Sequence, residues 1–177
     1  MRIERLPLQD AALIRLDRLE DERGFFARSF CAQEFARAGL HASYPQHNIS
    51  FNRRAGTVRG LHFQTPPHEE PKVIRCAAGA IYDVIVDLRP GSPTYGRWFG
   101  AELSARNGDA LYAPPGFAHG FQTLCDDAEV CYLMGAAFVP GAAGGVRYDD
   151  PRIGVAWPLP VSAISDRDLA LPTLPAA

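Results

Sequence analysis

The sequence predicts a mainly β fold, a sandwich or barrel of antiparallel strands with one or two short helices. Three observations carry that expectation. The 16 glycines and 15 prolines are scattered along the chain, so they punctuate many short segments, as turn-linked strands require. The run Ala80–Leu88, AIYDVIVDL, alternates with a period of two. Only one segment reads as a convincing helix, Ala32 to Ala38, with Gly39 as its C-terminal stop.

Taken in order, strands are expected at Ala12–Arg18, Phe25–Phe30, His47–Asn52, Thr57–Gln64, Val73–Cys76, Ala80–Leu88, Arg97–Leu103, Ala110–Ala113, Ala118–Leu124 and Val130–Met134. Turns fall at Arg89–Pro93 and Pro114–Gly116, where proline and glycine preset the backbone. In the Ala80 run, Tyr82, Val84, Val86 and Leu88 share one face, while Ile81, Asp83, Ile85 and Asp87 share the other. Both faces are largely apolar, so the strand should be covered on both sides. Asp83, flanked by two isoleucines, is then no solvent-facing charge. It reads equally as a structural carboxylate and as a functional one. The C-terminal LPTLPAA should be extended.

The 177 residues suit one domain spanning 1–177. Eighteen basic and 20 acidic residues leave a net charge of −2 with no basic block, which argues against nucleic acid or an anionic membrane as partner. No apolar run approaches the roughly 20 residues of a membrane span. MRIERLPLQD lacks the apolar segment of a secretory signal, so the expected compartment is the cytoplasm. Cys31, Cys76, Cys125 and Cys131 form no CxxC pair and read as buried reduced thiols.

Two motifs could carry chemistry. In GDALYAPPGFAH, Gly108 to His119, a strand runs into a Pro-Gly turn and a second strand returns its histidine inward, the spacing of the second cupin motif. In GTVRGLHFQ, Gly56 to Gln64, Gly56 and His62 fit the first cupin motif, but Gln64 replaces its second histidine. A cupin-like jelly-roll, or double-stranded β-helix barrel, follows. His62, Glu69 and His119 would make only a thin metal-ligand set, so no metal and no cofactor is expected. An imidazole with a pKa near neutrality can instead serve as a general base.

The chain resembles the dTDP-4-dehydrorhamnose 3,5-epimerases, from about Asp21 to Asp168. The resemblance runs through DERGFF, QHNIS, RGLHFQ, KVIRCAAGAIYDVIVDLRPGSPTYGRW, YAPPGFAHGFQTL, AEVCY, GVRYDDPRIGVAWP and SDRD, in order. It implies a cofactor-free homodimer inverting carbons 3 and 5 of a nucleotide-linked 4-keto-6-deoxy sugar. A single-centre epimerase and, more remotely, a metal-dependent cupin are the alternatives. By the same resemblance His62 is the base, Asp168 orients it (with Asp83 as a second candidate), and Tyr132 returns the proton from the opposite face. Lys72 and His119 would meet the enolate oxygen, and Arg23, Arg59 and Arg167 the diphosphate. Gln46 and Asn48 would add neutral hydrogen bonds. Phe26 belongs to the binding set, and Phe138 would stack on the base. Strict alternation puts Arg59 and His62 on opposite faces, so either a bulge intervenes or Arg59 serves a neighbouring subunit. The sequence departs from the family pattern at Arg28 and Ala143, where acidic residues are usual, and by one extra residue between Asn48 and Arg59.

Overall fold

The structure is a computed structural model and describes residues 1–174; the last three residues of the LPTLPAA tail lie outside them. Thirteen strands and two short helices form among these residues. They are β1 (Arg2–Arg5), β2 (Ala12–Arg15), β3 (Leu19–Asp21), β4 (Gly24–Phe26), α1 (Ala32–Arg37), β5 (Gln46–Asn52), β6 (Val58–Gln64), β7 (Lys72–Ala78), β8 (Ala80–Asp87), β9 (Trp98–Ser104), β10 (Ala110–Ala113), β11 (Phe117–Thr123), β12 (Ala128–Met134), β13 (Ala143–Gly145) and α2 (Asp166–Leu169). A six-stranded sheet, β1-β2-β10-β7-β12-β5, faces a five-stranded one, β13-β6-β11-β8-β9, and β3-β4 form a separate hairpin. Within the sheets every strand pairing is antiparallel. The predicted mainly β, cupin-like double-sheet architecture is present.

The expected ten strands all form, with ends shifted by a few residues. The largest shift is at the expected strand Phe25–Phe30, where pairing stops at Phe26 and the chain turns toward α1. Strands β1, β3 and β13 were not expected, because three or four residues give alternation nothing to work on.

Alternation in β8 does decide the packing. Ile81 and Ile85 point between the sheets with Ile74, Leu111, Phe121 and Val130. Val84 and Val86 point outward and are covered by Val146, Ile153 and Leu174 of the C-terminal segment. The strand is thus buried on both sides. On the far face of the six-stranded sheet, Phe35 of α1 packs with Ile14, Val73 and Tyr112. The four cysteines are free, but only Cys76 is buried; Cys31 at the start of α1, Cys125 after β11 and Cys131 on β12 are half-buried.

The β8–β9 turn is anchored by Asp87, which accepts hydrogen bonds from Arg89 Nε (3.0 Å), Ser92 Oγ (2.6 Å) and Thr94 Oγ1 (2.6 Å). Burial pushes its carboxyl up, but these donors outweigh burial and hold it at about 2.

Candidate active site

A cavity of about 530 Å³ opens between the two sheets. The five-stranded sheet contributes His62 from β6 and His119 from β11, which are directly opposite in register and so share a face. The six-stranded sheet contributes Tyr132 from β12 and Lys72 from β7. The imidazoles and the phenol therefore stand on facing walls, with the His119 and Tyr132 ring centres 5.9 Å apart.

Asp168 reaches His62 from α2. Ser165 caps that helix, its hydroxyl accepting from Asp168 N at 3.1 Å, so the SDRD motif folds into a single turn aimed inward. Asp168 Oδ1 lies 2.7 Å from His62 Nε2, while its Oδ2 accepts the Gly60 amide at 3.1 Å. The carboxylate accepts a hydrogen bond from Nε2–H, which keeps that proton on Nε2 and leaves Nδ1 with its lone pair. Burial lowers the His62 pKa against the pull of Asp168, and His119 and Lys72 repel its charged form further. The ring is neutral at neutral pH, as a base must be.

Asp83, the second candidate for orienting His62, does not touch it. It pairs with His119 instead, Oδ1 to Nε2 at 2.7 Å, because it lies on the inward face of β8 beside β11. Asp83 is fully buried, and burial raises its pKa against the opposing pull of His119. Both cavity histidines thus carry a carboxylate partner, Asp168 lining the cavity and Asp83 buried behind His119.

Tyr132 is held on the other wall, its hydroxyl 3.4 Å from Ser50 Oγ. Burial raises its pKa well above the ordinary phenol value, so it stays protonated. Lys72 is buried, ion-paired to Glu70 Oε1 at 2.9 Å and donating to the His62 carbonyl at 3.2 Å.

Arg59 and His62 both line the cavity, and the bulge that this requires is present. Pairing shifts so that His62 faces His119 while Arg59 faces Phe121: three residues on β6 span two on β11. Gly60 makes the bulge possible. Its φ is +126°, and a Cβ there would lie 2.6 Å from Gly120 Cα. The Arg59 guanidinium is oriented by Asn52, Nε to Oδ1 at 2.7 Å.

Of the other expected residues, Asn48, Phe138 and Arg167 line the cavity. Gln46 sits just behind the rim, donating to Asn48 Oδ1 (3.1 Å) and accepting the Phe138 amide (3.0 Å). Arg23 and Phe26 are not brought in: both are exposed on the β3–β4 hairpin, Arg23 paired with Asp21 and Phe26 75% exposed. Glu69 does not line the cavity either. Among the described residues no group of three or more His, Cys, Asp or Glu is disposed to hold a metal ion. Gln64 has a structural task, donating to His68 O and Ala137 O and accepting the Val139 amide at 2.7 Å. Arg28 lies outside the cavity, paired with Glu34 at 2.6 Å, whereas Ala143 lines it.

Sequence reasoning missed Ser50, Ser165 and Glu70. The signals were present for two of them. Ser50 continues the Gln46, Asn48 alternation, and Ser165 stands three residues before an acid at a helix start.

A neutral imidazole steered by a carboxylate, facing a protonated phenol between two antiparallel sheets, defines a cupin-like acid–base enzyme. Its relatives make the class specific. Residues 5–176 match the family model described as dTDP-4-dehydrorhamnose 3,5-epimerase. A Sinorhizobium fredii protein of that name is 41% identical over 98% of this chain and 90% of its own. A dTDP-4-dehydrorhamnose 3-epimerase of Streptomyces niveus is 37% identical, covering 95% of this chain and 81% of that one. The crystal structure of the Bacillus anthracis 3,5-epimerase with TDP and PPi bound has a TM-score of 0.94 at 40% identity, covering 98% of this chain and 99% of that one. The chain belongs to the dTDP-4-dehydrorhamnose 3,5-epimerase family, a family of isomerases.

Proposed function

We propose that this cavity epimerises dTDP-4-keto-6-deoxy-D-glucose at carbons 3 and 5, giving dTDP-4-dehydro-L-rhamnose for rhamnose-type sugar biosynthesis. The observation that carries the reading is the 2.7 Å His62–Asp168 pair on the wall facing Tyr132. His62 Nδ1 removes the proton from a carbon beside the ketone, and Asp168 stabilises the imidazolium that forms. The electron pair moves onto the carbonyl oxygen, which Lys72 and His119 line the cavity to meet; one donor there is worth about 3–4 kcal/mol. Tyr132 then protonates the carbon from the opposite face, which inverts it. Arg59 and Arg167 receive the diphosphate, with the planar guanidinium suited to paired phosphate oxygens. Asn48 supplies neutral hydrogen bonds, and exposed Phe138 a stacking surface for the base.

The working unit is a homodimer. Leu19 (70% exposed), Phe26 and Ile49 (68%) lie on the hairpin and on β5, the edge strand of the six-stranded sheet, where a second copy would cover them. Arg23 and Phe26 would then act at the partner's cavity rather than at their own. The cytoplasm suits the four free cysteines, and no helix among the described residues is long and apolar enough to cross a membrane.

The test is incubation with the 4-keto sugar in heavy water, locating deuterium by NMR. Label at carbons 3 and 5 is the expected result. Label at carbon 3 alone would assign the single-centre reaction named for the Streptomyces relative. Binding without any label would overturn the epimerase reading.

A further inference from the structure

Glu70 has no part in the mechanism above, yet it is among the most deeply set charges in the cavity. It precedes β7 and is 5% exposed. Its Oε1 holds Lys72 Nζ at 2.9 Å. Its Oε2 is buried and has no hydrogen-bond partner among the described residues, although the residue lines the cavity. Buried polar atoms are nearly always satisfied, and an exception calls for an explanation. An ionised carboxylate only accepts, so whatever completes Oε2 must bring a donor.

We propose that Glu70 recognises the hydroxyl on carbon 3 of the sugar, a specificity role that rests on the epimerase reading. The diphosphate and the ketone offer no donor, and the thymine N–H and deoxyribose hydroxyl lie on the far side of the diphosphate from the ketone, which leaves the hydroxyls of the keto sugar. The ketone oxygen at carbon 4 and Glu70 Oε1 share the Lys72 ammonium, so Oε2 lies beside a carbon adjacent to the ketone. On the carbon 5 flank the substituents are a methyl group and the ring oxygen, and neither donates. On the carbon 3 flank there is a hydroxyl. Glu70 therefore distinguishes the two otherwise similar flanks of the ketone and fixes which way round the ring enters. The same carboxylate holds Lys72 toward the oxygen that becomes the enolate.

The test compares two substrates, dTDP-4-keto-6-deoxyglucose and its analogue lacking the 3-hydroxyl, with the wild-type enzyme and Glu70→Gln. Deuterium exchange at carbon 5 is measured for both sugars, because that position exists in each. The wild type is expected to favour the hydroxylated sugar by about 10²-fold or more in kcat/KM, since a buried acceptor left unpaired penalises the deoxy analogue. E70Q is expected to lose about tenfold or more on the hydroxylated sugar and much less on the analogue, which shrinks the preference. Equal losses on both sugars would mean that Glu70 acts only through Lys72; no loss on either would mean that it recognises nothing. Either result overturns the proposal. If the wild type exchanges neither sugar, the epimerase reading fails instead. The affinities of the two sugars, measured calorimetrically for both proteins, then decide the hydroxyl preference without turnover. Should E70Q not fold, Glu70→Asp, which retracts the carboxylate, is expected to show the same selective loss.

Discussion

His62 owes its usefulness to two opposing influences that the structure balances. Burial disfavours its charged form, and Asp168 favours it; burial prevails, and the resting ring is neutral. Catalysis by the base form is lost on protonation, so kcat/KM should fall on the acid side, with an apparent pKa below the ordinary imidazole value of about 6.5. A pH profile checks this, and an acid limb above neutrality would contradict it. Tyr132 is displaced upward by burial, so no alkaline loss is expected within the ordinary phenol range near pH 10. Replacing Asp168 by Asn should lower kcat by about 10²–10⁴-fold, because the amide can hold the ring in the wrong tautomer and cannot stabilise the imidazolium. KM should move far less, since Asp168 pairs with His62 and Gly60 rather than with the diphosphate. Single-turnover exchange kinetics separate the two effects.

At the scale of elements, strand β6 shows what the sequence disclosed and what it withheld. Alternation placed β8 between two apolar layers and kept Asp83 from solvent, because an eight-residue strand repeats the pattern often enough to be read. The same rule put Arg59 and His62 on opposite faces. A bulge reverses that conclusion, and a bulge depends on Gly60 meeting Gly120 across the sheet, a contact between residues 60 positions apart. Likewise, Asp83 was legible as buried but not as the partner of His119, since pairing follows strand order and not alternation. Gly60→Ala should therefore be costly: φ of +126° suits no side chain, and the new Cβ would meet backbone. About 1–3 kcal/mol of stability should be lost to strain alone, together with most activity as His62 is displaced. Thermal melting and exchange assays report the two losses. The β8–β9 turn offers a separate check. Asp87 is held at about 2, below its unfolded value, so its contribution is full above about pH 4 and disappears as pH falls through 2. Asp87→Ala should remove on the order of 1–2 kcal/mol at neutral pH, after allowing for screening at the turn. It should also flatten the acid denaturation profile in that window.

At the scale of the whole molecule, one chain encloses the proton-transfer set but leaves Arg23 and Phe26 stranded on an exposed hairpin. Large apolar side chains on a hairpin and on a neighbouring edge strand are a liability for a solitary chain and an asset for a two-fold assembly. A surface charge placed there should separate the two consequences. Phe26→Asp leaves the His62–Asp168 pair and the facing Tyr132 untouched, because their hydrogen bonds run to Gly60, Ser165 and Ser50 and not to the hairpin. It should nonetheless shift the proposed homodimer to monomer in light scattering at micromolar concentration. KM for the nucleotide sugar should rise more than kcat falls, since the loss is one of substrate grip supplied by the second copy. A Phe26→Asp protein that remains dimeric with unchanged KM would show that the hairpin neither joins copies nor reaches a neighbouring cavity. The nucleotide would then have to be held by Arg59, Arg167 and Phe138 of a single chain.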